Sequence, residues 1–123
     1  MKHVEMPEFV GKVFKSVENK DDVEIVFTQE DGTEFVMYHE QDCCEGVSVE
    51  DIEGDLNDLV GSPILEAEEV SSEDWPAPEN ADSYTWTFYK LATIKGFVTI
   101  RWLGESNGYY SESVSIRQNQ TVN

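Results

Sequence analysis

The densest set of reactive side chains is His39-Glu40-Gln41-Asp42-Cys43-Cys44-Glu45. Cysteine thiolate and histidine imidazole are good zinc ligands, and the end of a β-hairpin can hold them close together. His39 reaches Cys43 across a turn. The set is incomplete as a site, because there is no C-x-x-C and no second ligand pair, and adjacent cysteines seldom both bind one ion. His3, Asp42, Asp51 and Glu68 are further candidate ligands, and nothing in their spacing selects one. The same stretch also reads as two small half-buried hydrophobes beside a surface histidine. Thiol catalysis fits less well: Glu40, Asp42 and Glu45 crowd the cysteines, and negative neighbours raise a thiol pKa that catalysis needs lowered. A disulfide between Cys43 and Cys44 is not expected, since neighbouring cysteines pair badly and a reducing cytosol keeps thiols free.

Other chemistry is thinly signalled. The acidic stretch Glu66–Asp82 lacks the spacing of a calcium loop. No phosphate-binding glycine loop and no G-x-S-x-G elbow is present. Tyr109 and Tyr110, beside the Ser106-Asn107-Gly108 turn, are candidate exposed contacts.

Charge is the most unusual property. Asp and Glu number 26 against 8 Lys and Arg, a net charge of −18. No Lys or Arg occurs from Asp21 to Tyr89. Such a field repels free nucleic acid and anionic membrane, because phosphate affinity comes from Lys and Arg. It attracts basic protein surfaces. Solubility alone would need far less charge. The candidate docking residues are Glu50, Asp51, Glu53, Asp55 and Asp58, then Glu66, Glu68, Glu69, Glu73 and Asp74. A pocket for a nucleotide signal would need clustered cations, which the chain lacks.

The elements that must carry these residues are mostly strands. Val23–Gln29 and Thr33–Glu40 alternate apolar and polar residues around Glu30-Asp31-Gly32, which predicts a hairpin. A strand at about 12–18 is expected on its edge. Val47–Ile52 and Ile64–Val70 read as strands, and Gly54–Val60 as a short helical turn. Tyr84–Ala92, Gly96–Leu103 and Tyr110–Arg117 read as a three-stranded meander. The fold class is therefore mainly β (α+β): a curled antiparallel sheet or half-barrel of about seven to eight strands with one or two short helices. One domain spanning 1–123 is expected, with its core over about 9–117 and an exposed acidic loop at about 71–83. Trp86, Phe88, Val98, Ile100, Trp102, Val114 and Ile116 are the expected core. The start, MKHVEMPEF, has no apolar segment of a signal peptide, so a cytoplasmic protein is expected; its oligomeric state is open, with a monomer favoured.

The stretch Tyr38–Glu69 (YHEQDCCEGVSVEDIEGDLNDLVGSPILEAEE) and the stretch Ser83–Val114 (SYTWTFYKLATIKGFVTIRWLGESNGYYSESV) resemble a phage and prophage domain family of unknown function. The resemblance extends from about Phe9 to Val114. It implies kinship with a zinc-carrying anti-CRISPR protein, a phage-encoded inhibitor of Cas9 acting in the host cytoplasm. On that footing His39, Cys43 and Cys44 match the metal motif, and the zinc is structural. The partner implied is Cas9, whose nucleic-acid channel is strongly basic, and the mode is inhibition by blocking target DNA loading. The rival readings are a metal- or thiol-dependent phage enzyme and a sponge for a nucleotide immune signal.

Overall fold

Alternation of apolar and polar residues decides which side of each strand is buried. The computed structural model describes residues 2–72, 78 and 82–119. Nine strands lie among them: β1 (Lys2–His3), β2 (Phe14–Lys20), β3 (Glu24–Gln29), β4 (Glu34–Tyr38), β5 (Gly46–Glu53), β6 (Glu66–Ser72), β7 (Ser83–Thr93), β8 (Gly96–Ser106) and β9 (Ser115–Asn119). Two 3-10 turns, Met6–Phe9 and Leu56–Leu59, are the helical pieces among the described residues. Most of the expected acidic loop at 71–83, with Glu73 and Asp74, lies outside the described residues.

The chain is mainly β and antiparallel, as expected. The strands divide, however, into two sheets that do not close on each other. Sheet A runs β1-β9-β4-β3-β2 and sheet B runs β5-β8-β7-β6. The β3–β4 hairpin has Ile25 opposite Met37 and Phe27 opposite Phe35. Its turn uses Gly32 at φ 90°, a left-handed conformation that glycine adopts without a Cβ clash. β2 pairs with β3 on the hairpin's outer edge. In sheet B the β7–β8 hairpin runs in register from Ser83 opposite Ser106 to Thr93 opposite Gly96.

The expected third strand of that meander does not stay with β8. The chain instead folds back at 107–114 and β9 crosses to sheet A, where Ile116 sits opposite Met37. Gly104 permits the return: a Cβ there would lie 2.4 Å from the Glu112 carbonyl oxygen, so only a glycine strand can be approached so closely. The crossover fills the free edge of β4 and buries Ile116 between the sheets.

One apolar cluster fills the space between the sheets. Sheet A contributes Val17, Ile25, Phe27, Phe35, Met37 and Ile116, and sheet B contributes Val49, Tyr89, Leu91, Val98, Ile100 and Trp102. Val114 packs against it from the crossover. Trp86 and Phe88 are buried but do not belong to this cluster. They are in phase with each other and out of phase with Tyr89 and Leu91, so they lie on the outer face of sheet B. Trp86 is opposite Leu103 and Phe88 opposite Arg101. Arg101 points away from the core, as its alternation with Ile100 and Trp102 predicts. No helix among the described residues is long and apolar enough to cross a membrane.

The first 3-10 turn places Phe9 as a plug. Its ring centroid is 5.5 Å from Phe14, 5.0 Å from Phe27 and 5.3 Å from Phe35, and it is fully buried. Removing a ring from such a site costs roughly 3–5 kcal/mol through lost burial and a residual cavity. Phe9→Ala should therefore lower the urea midpoint sharply, while Val26→Ala, on the outer face of sheet A, should lower it less. Equilibrium denaturation of the two variants checks the difference.

Candidate functional site

The reactive loop is organised around Glu45, not around the cysteines. Glu45, Val47 and Val49 alternate, and all three are buried, so the core-facing phase of β5 continues one step before the strand begins. Phe35, Met37 and His39 form the matching phase of β4, on the other sheet. The two polar residues meet where those phases converge. His39 Nε2 donates to Glu45 Oε2 at 2.7 Å, and the side chains are 4% and 0% exposed. His39 Nδ1 donates to the Ser113 carbonyl at 2.7 Å. The backbone N–H of Asp42 donates to Glu45 Oε2 and that of Cys43 to Oε1, both at 2.9 Å. Gln41 Nε2 donates to the Glu45 carbonyl at 2.8 Å. Burial of a carboxylate is tolerated only when its lone pairs are satisfied in this way. The His39 donor, reinforced by the backbone N–H groups of Cys43 and Asp42, holds the Glu45 carboxyl down to about 2 against the opposing effect of burial.

The expected zinc ligands His39, Cys43 and Cys44 have other partners in this structure. Both ring nitrogens of His39 are in hydrogen bonds, to Glu45 and to the Ser113 carbonyl. Cys43 and Cys44 are joined as a disulfide, contrary to expectation, and among the described residues neither thiol is free. Both are exposed at a turn. No three His, Cys, Asp or Glu side chains are grouped around a point that could hold a metal among the described residues. His3 is remote from the loop in its bonding, since its Nε2 meets Glu5 Oε1 at 2.9 Å. The buried role of Glu45 was not anticipated, although the alternation with Val47 and Val49 was a readable signal.

The docking candidates fall into groups. β5 carries Glu50, Asp51 and Glu53, and a β-bulge between Val49 and Asp51 turns both Glu50 and Asp51 onto the outer face. Arg101 from β8 donates to Glu50 Oε2 through Nε at 2.8 Å and through Nη2, and Asp51 lies 3.5 Å from Nη2. β6, at the far edge of sheet B, presents Glu66 and Glu68 on the same face, opposite Ala92 and Lys90. Glu69 points to the other side of β6. Asp55 is spent as a cap, accepting from Asn57 N at 2.9 Å, and Asp58 lies by the β7–β8 turn, where its carbonyl accepts from Thr93 Oγ1.

The outer face of sheet B thus carries Glu50, Asp51, Glu53, Glu66, Glu68 and Glu105 against Lys90 and Arg101. The outer face of sheet A carries Glu18, Glu24 and Glu34 against Lys20 and Arg117. The negative potential is uneven, and sheet B is its richer face. A groove of about 450 Å³ on that face has Val70 and Phe88 in its floor with Lys90 and Arg101 beside them. Arg101 is already committed to Glu50 and Asp51, so the groove has little free charge for a phosphate.

The Glu45 carboxyl sits below its ordinary 4.5, at about 2. A depressed carboxylate contributes stability that is present above its unfolded pKa and is lost as it becomes protonated in the folded state. Denaturation midpoints should therefore fall as pH drops from about 4.5 to about 2, and Glu45→Gln should flatten that part of the profile while lowering stability at pH 7. Urea unfolding across this pH range checks both outcomes.

Across residues 7–116 the chain matches a protein family described as a domain of unknown function, DUF7448. No curated protein and no solved structure matches it. The match spans both sheets, from the first 3-10 turn to the start of β9, and on that basis the chain belongs to the DUF7448 family.

Proposed function

We propose that the protein acts as a binding module that docks the outer face of sheet B on a basic surface of a nucleic-acid-handling protein and blocks access to it. The observation that carries this reading is the excess of carboxylates on one face, raised on a rigid antiparallel sheet. Such a face meets a phosphate-binding channel through opposite fields, which speed encounter and fix orientation more than they add raw affinity. The resemblance to a phage family containing a Cas9 inhibitor names Cas9 as the first partner to try. In that case the protein competes with target DNA for the channel as a stoichiometric inhibitor and needs no catalytic group. Zinc has no part in this reading, since the docking face does not involve the His39–Glu45 loop.

Glu66 and Glu68 are the informative positions, because both are exposed on the edge strand. The double reversal E66K/E68K should slow association about tenfold or more at low salt, with the gap closing as salt screens the field. Binding kinetics against ionic strength measure this. Complete cleavage of target DNA by Cas9 in the presence of excess protein would remove Cas9 as the partner. An association rate indifferent to salt would remove the electrostatic mechanism itself.

A further inference from the structure

The β7–β8 hairpin ends on two apolar side chains that the core does not take up. Ile94, in the turn, is 84% exposed, and Phe97, the second residue of β8, is 75% exposed. Phe97 is in phase with Thr99 and Arg101 and out of phase with Val98 and Ile100, so its ring stands on the outer face of sheet B, opposite Ala92. The tip is held from the core side. Thr93 Oγ1 donates to the Asp58 carbonyl at 2.5 Å, the Lys95 N–H to Thr93 Oγ1 at 3.1 Å, and Lys95 Nζ to the Val60 carbonyl at 2.5 Å. Gly54 packs so closely on the Phe97 backbone that a Cβ there would lie 2.5 Å from the Phe97 carbonyl oxygen. The ring is thus displayed on a fixed backbone, and a preformed contact avoids much of the ordering cost of binding.

A lone exposed apolar side chain is ordinary, but Phe97 borders a groove. This groove, of about 420 Å³, runs from Phe97 across β7 to Glu66 and Glu68 on β6, with Lys90 and Thr99 also lining it. Lys90 and Thr99 line the groove of Val70 and Phe88 too, so the two adjoin. Carboxylates flank the ring on both sides. Glu66 stands across Ala92 and Glu68 across Lys90. Glu53 is opposite Thr99, and Asp55 follows Gly54. All four are exposed. Of the residues that line the groove only Lys90 is cationic, and Lys95 is drawn to the core side by the Val60 carbonyl. Charge decides what can cover this surface. A second copy on a two-fold axis would bring the same carboxylates against these, in a chain of net charge −18. An anionic lipid surface is repelled by the same field. A basic segment is attracted by it, and an arginine can also stack on the Phe97 ring.

From this we infer that Phe97 and the groove beside it seat an extended basic segment of a partner protein, one apolar side chain flanked by lysines or arginines. The apolar side chain covers Ala92 and packs on the Phe97 ring. Its flanking cations meet Glu66 and Glu68 on one side and Glu53 and Asp55 on the other, and Ile94 extends the apolar contact past the turn. The arrangement is that of a small interface, with an aromatic anchor at its centre and charge on its rim. The inference deepens the docking of the outer face of sheet B and rests on it: the carboxylates set the rate of encounter, and Phe97 sets the lifetime of the complex.

The test is a titration of the whole protein, followed by two-dimensional NMR, with three capped peptides: Lys-Arg-Leu-Arg-Lys, Lys-Arg-Gly-Arg-Lys and Glu-Glu-Leu-Glu-Glu. Saturable shifts centred on 66–68, 90–92 and 94–99 are expected with the first. Loss of the leucine burial should make the glycine peptide roughly tenfold weaker, and the acidic peptide should not saturate. Phe97→Ser should bring the leucine peptide down to the level of the glycine one without changing its salt dependence. E66K/E68K should weaken both basic peptides and flatten their salt dependence. Val23→Ser, which removes an exposed apolar side chain from the turn between β2 and β3, should change neither. Phe97 lies outside the core, so Phe97→Ser should keep the thermal midpoint of the parent. Equal binding of the two basic peptides, unmoved by Phe97→Ser, would overturn the inference and leave the electrostatic docking standing. Failure of the leucine peptide to saturate would do the same. Leucine-dependent binding that ignores salt and accepts the acidic peptide would overturn both. Sedimentation of the protein alone tests the second copy: a dimer that forms as salt rises and is lost in Phe97→Ser would assign the surface to self-association and overturn the inference.

Discussion

The Glu45 carboxylate ties the two sheets together at one end of the core, and the reactive-looking loop takes its shape from that tie. His39 extends β4 in sheet A, Glu45 precedes β5 in sheet B, and Ser113 belongs to the crossover between β8 and β9. One buried pair therefore joins three chain segments that are distant in sequence. A buried pair of this kind is not a large net source of stability, because desolvation offsets most of the attraction. Its effect is on specificity. Breaking it leaves an unsatisfied group in the interior, so alternative packings of the 39–45 loop and the crossover are penalised. The apolar cluster centred on Phe9, Phe14, Phe27 and Phe35 supplies most of the cohesion, while the polar tie determines which arrangement of the loops goes with it.

The charge distribution has a structural side as well as a functional one. β5 and β6 are the two edges of sheet B, and edge strands invite pairing with other chains. Carboxylates along both edges discourage that pairing between copies, so part of the acidity is explained without any partner. What edge protection does not explain is the concentration of charge across the outer face. The bulge in β5 doubles the carboxylates at one position, and Arg101 is recruited to hold them. The same guanidinium lies over the Trp86 ring, 5.6 Å from its centroid. Arg101 thus neutralises part of the face and covers an aromatic that would otherwise be wet, which leaves Glu53, Glu66, Glu68 and Glu105 with Lys90 as the charge that a partner meets.

The strands were readable wherever a single period ran without interruption. The β3–β4 hairpin, the β7–β8 hairpin and the short turn capped by Asp55 follow from alternation and turn residues alone. The candidate site was less legible. Grouping His39 with the cysteines rests on their closeness in sequence, and sequence does not show that His39 bonds Glu45 and Ser113 or that the cysteines are paired. Trp86 and Phe88 read as core from sequence because aromatic residues in a strand are usually buried there. Both faces of β7 are apolar, so composition could not say which face meets sheet A, and the pairing of Thr87 with Trp102 decides it.

The amino-acid sequence by itself determined the mainly β class, the local hairpins, the net charge and the absence of Lys and Arg from the middle of the chain. These depend on residue type and on periods of two, which act over a few neighbours. Only the tertiary structure decided that the strands form two sheets, that β9 leaves the meander for β4, that the carboxylates gather on the outer face of sheet B, and that Glu45 is buried. Each of those depends on which distant segments meet. That choice is made by the joint burial of two apolar faces, and no local pattern encodes it.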